Sequence, residues 1–299
     1  MKTYLDLVKK IIDAPESAWK GNRTGVRAKS ISGYMLEHDM STGFPLLTTK
    51  QVPLKMIAVE LEGFIKGITN KKWFQERGCH IWDEWCNPEK VPYSTDKYVQ
   101  DEMKAEMDLG KIYGFQWRKF NGTNGDENHG LHSYEACARQ GYDQLKVIVD
   151  RLHNNPSDRR MICTAWNPEQ LDEMALPPCH LLWQVVVTGE NYDTLNLNWY
   201  QRSCDTMLGI PFNLASYALL LVLLAKDAGM KQGKLCGMLG DVHIYENQFE
   251  TAKTQIKRQP LTLPEIEIPD FTNIYDWTYK QRKLINYKYL GKIEYNLSV

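Results

Sequence analysis

Between Leu214 and Ala225 one polar side chain, Ser216, interrupts the longest apolar run in the chain. The run is shorter than the roughly 20 residues that a membrane span needs. It therefore predicts a helix over 212–228, stopped by Gly229 and buried in a globular core.

The rest of the pattern says what packs around it. Residues 4–12, 53–66 and 141–152 carry apolar side chains at helical spacing, with Pro53 at the first turn of the second. Gly63 inside that helix costs about 1 kcal/mol relative to Ala, which implies a packing or ligand reason for it. Residues 30–38, 160–166, 180–188 and 194–201 read as strands, and 189–193 supply a turn between the last two. Two further strands are expected over 261–268 and 284–299. Strict βαβ alternation is missing, so the expected class is α+β: a single domain over 1–299, with a mixed β-sheet packed against helices. Residues 84–108, with Pro88 and Pro92, and the Gly- and Asn-rich 121–132 read as irregular surface loops. In a single domain they would be insertions near 86–108 and 121–135.

Charge narrows the function classes. With 36 basic and 37 acidic residues the formal net charge is -1, which argues against a nucleic-acid coat or a polybasic membrane binder but permits a local basic pocket. The seven cysteines (Cys79, Cys86, Cys137, Cys163, Cys179, Cys204 and Cys236) are odd in number and contain no CxxC pair. Neither a disulfide framework nor a zinc site fits them. Residues 1–12 mix charged and apolar side chains, unlike a signal peptide. A reducing cytoplasm and no metal are expected.

Three segments carry candidate chemistry. In Met174-Ala-Leu-Pro-Pro-Cys-His180 two prolines fix the backbone before a thiol, which either presents Cys179 rigidly or buries it beside a turn. Tyr200-Gln-Arg-Ser-Cys-Asp205 packs a guanidinium, a hydroxyl and a carboxylate into one strand end. It reads either as pocket lining or as a salt-bridged edge. Asp158-Arg-Arg160 pairs two guanidinium forks of the kind that match phosphate oxygens, or makes a solvated turn.

Read in order with Asn22-Arg-Thr-Gly25, Gly43-Phe-Pro-Leu-Leu-Thr-Thr-Lys50, Glu60, Ile81-Trp-Asp-Glu-Trp85, Ile112-Tyr-Gly-Phe-Gln-Trp-Arg118, Ala165-Trp-Asn-Pro168, Leu208-Gly-Ile-Pro-Phe-Asn-Leu-Ala-Ser-Tyr217 and Gly240-Asp-Val-His-Ile-Tyr245, these segments resemble the thymidylate synthase family over nearly the whole chain. The resemblance implies a homodimer joined through the sheet. The implied reaction methylates dUMP at C5 with 5,10-methylenetetrahydrofolate as co-substrate. Cys179 matches the nucleophile that adds to C6, with Arg202 nearby to favour the thiolate. Glu60 matches the acid-base carboxylate, and Tyr113 the tyrosine near the C5 proton. Arg23, Arg202 and Ser203, with Arg159 and Arg160 from the second subunit, match the phosphate site. Asn213 matches the side chain that reads uracil, because an amide both donates and accepts. His243 and Tyr245 match the pair on the ribose hydroxyl, and His180 also belongs to the nucleotide site. Asp205, Trp82, Trp85, Gly209, Phe212, Lys50 and Val299 fall to the folate side, the last in a tail that closes over the ligands.

The sequence departs from the family pattern at Arg27 and Lys29 beside the phosphate loop, at Glu62 and Gly63 after Glu60, and at Gln51. Lighter packing at 62–63 would admit water. That keeps open a hydroxymethylase acting on dUMP, or in second place on dCMP. An inactive homologue that binds nucleic acid is the non-enzyme alternative, and no membrane or nucleic-acid partner is expected.

Overall fold

The computed structural model describes residues 2–22, 24–122 and 141–297. In chain order its elements begin with α1 (Lys2–Ile12), β1 (Trp19–Lys20), β2 (Ala28–Asp39), α2 (Leu54–Ile65) and α3 (Lys71–Gln75). Next come α4 (Lys97–Ala105), α5 (Tyr113–Lys119), α6 (Gln144–Asn154) and β3 (Ile162–Thr164). The chain continues with β4 (His180–Thr188), β5 (Thr194–Asp205), α7 (Gly209–Asp227), β6 (Lys231–Tyr245), α8 (Phe249–Gln255), β7 (Glu265–Glu267) and β8 (Lys283–Ile285). The class is α+β. Two compact units form, one from Met1–Ala58 with Cys179–Val299 and one from Val59–Pro178.

The first unit is built on a mixed sheet in the order β1-β2-β6-β5-β4. Its pairings are antiparallel except β5 with β6, which run parallel because α7 lies between them in the chain. On α7, Ile210, Leu214, Leu220 and Leu224 are among the buried residues, as expected of the apolar run. Asn213 and Tyr217 sit one turn apart and so share a stripe of α7. They meet Gln201 and Trp199, which are two residues apart on β5 and so share a face of the sheet. Helix α1 buries Tyr4, Leu7, Val8 and Ile11 and packs on β2.

Strand β6 was not legible in the sequence. Its glycines, Gly233, Gly237 and Gly240, break the apolar alternation. Gly237 is required by packing: any Cβ there would run into the indole of Trp199. The buried Trp199 then stacks on Tyr217 at 5.3 Å and 13°. Across the sheet Met35 is in register with Met238, and Met238 with Tyr200. All three are exposed, Met35 by 62%.

The two late strands are shorter than expected. Only Glu265–Glu267 and Lys283–Ile285 pair with each other. Pro264 bounds the first. Past the second, Tyr287 leaves the ladder to anchor the 47–52 loop, donating to Leu47 O at 2.8 Å and accepting from Val52 N–H at 2.9 Å.

The second unit centres on an aromatic cluster of Phe64, Trp82, Tyr113 and Trp117. Gly63 leaves no void. The Phe74 ring occupies the place a side chain would take, so the lighter packing expected at 62–63 is not found. Glu62 is buried and paired with Lys66 at 2.6 Å, one helical turn away. The loop expected over 84–108 contains α4, capped by Asp96, whose carboxylate accepts from the Tyr98 and Val99 amides. The capping signal was present, but Met103 is the one buried side chain in the helix and its apolar periodicity is thin. The insertion expected near 121–135 falls mostly on residues outside those described.

Candidate active site

The two prolines end the second unit's stretch at buried Pro178, and Cys179, half-buried, is where the first unit resumes, just before β4. Its carbonyl accepts from the Arg202 amide at 2.8 Å, which ties the thiol-bearing residue to β5. Burial raises the pKa of the other five described thiols: Cys79 to about 12, and Cys86, Cys163, Cys204 and Cys236 also upward. Cys204 is fully buried and donates to Gln201 O at 3.5 Å, so it packs as a small apolar residue.

Beside Cys179, His180 Nδ1 meets the Tyr217 hydroxyl at 2.8 Å, with the rings edge to face. Burial pulls its pKa down to about 3, so the ring is neutral near pH 7. The stack of Gly237, Trp199 and Tyr217 thus fixes the orientation of His180.

Gln201, 1% exposed, is a functional candidate the sequence reading passed over. Its Oε1 accepts from the Trp199 indole N–H at 3.3 Å. Its Nε2 donates to Ser203 O at 3.1 Å and to Asn213 Oδ1 at 3.0 Å. An indole can only donate, so it decides which way the Gln201 amide points. Gln201 in turn decides which way Asn213 points: Oδ1 toward Gln201, the NH2 group away from it. Gln201 and Tyr217 both lie in segments that carry the family resemblance, Tyr200–Asp205 and Leu208–Tyr217.

Asp205 Oδ1 accepts from the Met207 and Leu208 amides, both at 3.0 Å, at the start of α7. Gln248 Nε2 lies 3.4 Å from its Oδ2 and donates to Asn296 O at 2.9 Å, so one amide joins the carboxylate to the 291–297 segment. Lys50 is buried. It donates to Met207 O at 2.6 Å and sits over Tyr295, and burial lowers its pKa to about 8. His243 pairs with Asp241 at 3.2 Å and packs edge to face on Tyr245. Gly209 and Phe212 lie in the first turn of α7, and Arg202 and Ser203 are half-buried on β5. Arg23 and Val299 lie outside the described residues. Arg27 and Lys29 are occupied locally, Arg27 by Glu246 and Lys29 by Ile12 O at 3.1 Å.

In the second unit Glu60 is buried against Trp82, whose indole donates to Oε1 at 3.0 Å. Burial raises its pKa to about 7, and the indole bond opposes part of that rise. Such a carboxyl can take or give a proton near neutrality. Tyr113 is buried and stacked on Phe64 at 5.0 Å, and half-buried Trp85 stacks on Tyr93. Arg159 and Arg160 are exposed, with Asp158 bonded to the Arg160 amide at 2.9 Å and its Nε at 3.1 Å. Among the described residues no group of three or more His, Cys, Asp or Glu side chains is placed to hold a metal.

The thymidylate synthase family profile matches residues 2–299. The chain belongs to the thymidylate synthase family. It is also 40% identical over 303 residues to a bifunctional dihydrofolate reductase-thymidylate synthase of Paramecium tetraurelia. That alignment takes in 99% of this chain and 61% of the relative, so the chain spans about three-fifths of the relative's length.

Proposed function

We propose that the chain converts dUMP to dTMP, with 5,10-methylenetetrahydrofolate supplying both the one-carbon unit and the hydride and leaving as dihydrofolate. The observation that carries this reading is the amide relay from Trp199 through Gln201 to Asn213. It presents an N–H donor to the carbonyl oxygen of uracil, and the free lone pair of Asn213 Oδ1 is suited to the ring N3–H. Cys179 is the nucleophile: its thiolate adds to C6, which makes C5 a carbon nucleophile, and leaves again when the product forms. Glu60 manages protons in this cycle, with its pKa near 7 set by burial. Tyr113 assists removal of the C5 proton. His180, Arg202, Ser203, His243 and Tyr245 hold the nucleotide, and Trp82, Trp85 and Asp205 the folate. A hydroxymethylase is not favoured, because Phe74 fills the space at Gly63 through which extra water was expected.

The active form in this proposal is a homodimer in which Arg159 and Arg160 of the second copy complete the phosphate site. The exposed row of Met35, Met238 and Tyr200 supplies an apolar sheet face for that contact. The described cysteines are free thiols, which suits a cytoplasmic setting.

The test is to incubate the protein with dUMP and methylenetetrahydrofolate, weigh the nucleotide product and follow dihydrofolate by absorbance. One dihydrofolate per dTMP is expected. A hydroxymethyl nucleotide with no dihydrofolate would replace this reading with the hydroxymethylase.

A further inference from the structure

Lys71 is the first residue of α3 and is fully buried. Its ammonium donates to three backbone carbonyls: Met103 O at 2.9 Å, Trp85 O at 3.0 Å and Asp83 O at 3.2 Å. All three N–H bonds are used, and none goes to a side chain. Met103 belongs to the last turn of α4, whose terminal carbonyls have no partner within the helix and carry partial negative charge. Asp83 and Trp85 belong to the turn that carries Trp82. One cation therefore gathers a helix C-terminus and a tight turn into a single rigid piece.

What hangs on that turn gives the arrangement its meaning. Trp82 bonds Glu60, and Trp85 stacks on Tyr93. The Asp83 side chain is held separately, by Gln75 at 3.0 Å and His80 at 2.8 Å, so Lys71 governs the backbone of the turn. The tripod holds the backbone of the turn at Asp83 and Trp85, on both sides of Glu84, and so the direction in which both indoles project.

We propose that Lys71 is a positioning residue for the folate side of the reaction, acting through the 82–85 turn on Trp82 and Trp85. This rests on the function proposed above. The experiment compares wild type with Lys71→Met, which keeps the length of the side chain and removes its three donors. The KM for methylenetetrahydrofolate should rise about tenfold, as misplacement of orienting groups by a fraction of an ångström does, while dUMP affinity measured by calorimetry stays within about twofold. Hydrogen exchange should quicken over 81–87 and not over α6. In a Trp82→Phe background the same substitution should raise the folate KM much less, since the two act on one path. If Lys71→Met does not fold, Lys71→Gln, with two donors for three carbonyls, should give a smaller rise of the same kind. An active wild type whose Lys71 variants lose thermal stability but keep the folate KM would overturn the positioning role alone. A wild type inert toward dUMP and folate would overturn the reaction itself, and the positioning role with it.

Discussion

The two units hold their polar machinery by opposite means. Around Asn213 in the first unit, orientation is set by direction: an indole that can only donate fixes one amide, which fixes the next. No charge changes along that path, and the neighbouring His180 is held neutral by burial. Around Glu60 in the second unit, a single carboxyl is buried against Trp82, and desolvation brings its pKa to about 7. In the proposed reaction the first arrangement would read a base whatever the pH, and the second would move protons because pH can reach it. Recognition and acid-base work thus make different demands, hydrogen-bond direction in one case and dielectric in the other.

The comparison can be broken most sharply at the nucleophile. Cys179→Ala should remove turnover by on the order of 10⁴-fold or more, whereas Cys204→Ala should leave it nearly intact. Equal losses in steady-state assays would mean that the half-buried thiol was chosen wrongly.

Next is the carboxyl. Glu60→Gln keeps an acceptor for Trp82 and should lower kcat by roughly 10²–10³-fold. It should also abolish a break near pH 7 in the rate profile. A carboxyl whose pKa is higher folded than unfolded binds more protons when folded. Its contribution is therefore full below its ordinary value of 4.5 and is lost as pH rises through about 7. The variant should consequently be more stable than wild type at pH 8, by roughly 2–3 kcal/mol in urea titrations. Equal stability at that pH would contradict the burial account.

The directional side is probed at Gln201. In Gln201→Glu the carboxylate still accepts from Trp199 but cannot donate to Asn213, whose amide should turn to present oxygen. Preference for dUMP over dCMP, as a ratio of kcat/KM, should fall at least tenfold, roughly the cost of an unpaired buried polar group. An unchanged ratio would show that Asn213 is oriented by something else. The smallest effect is packing: Gly63→Ala should cost about 1–3 kcal/mol by pressing on Phe74, read as a lower Tm with kcat little altered.

The sequence made the site more legible than its supports. Cys179, Glu60 and Asn213 stood out because their neighbours repeat a family pattern, α1, α2 and the β4–β5 hairpin because apolar periodicity survives in them, and α7 because its apolar run is nearly unbroken. Strand β6 was hidden because the glycine that lets Trp199 lie flat also erases the alternation. Lys71 was unreadable for a similar reason: a lysine on a short helix looks solvated unless the three carbonyls it meets, 12 to 32 residues onward, are already in place. Gln201 was in view but mute, since its role depends on what lies across the groove of α7 rather than beside it in the chain.

Strand β6 also bears on how the molecule is made. It pairs Tyr245 with Ala28 and Lys234 with Asp39, joining segments near opposite ends of the chain. The second unit is one continuous stretch, 59–178, and has all its residues early in synthesis. The first has to wait. Until β6 leaves the ribosome, β2 and β5 each show an open edge, and β5 has only β4 for company. Loop closure over such separations is slow, and bare edges recruit neighbours. A nascent chain halted before residue 231 should therefore be the form most dependent on chaperones.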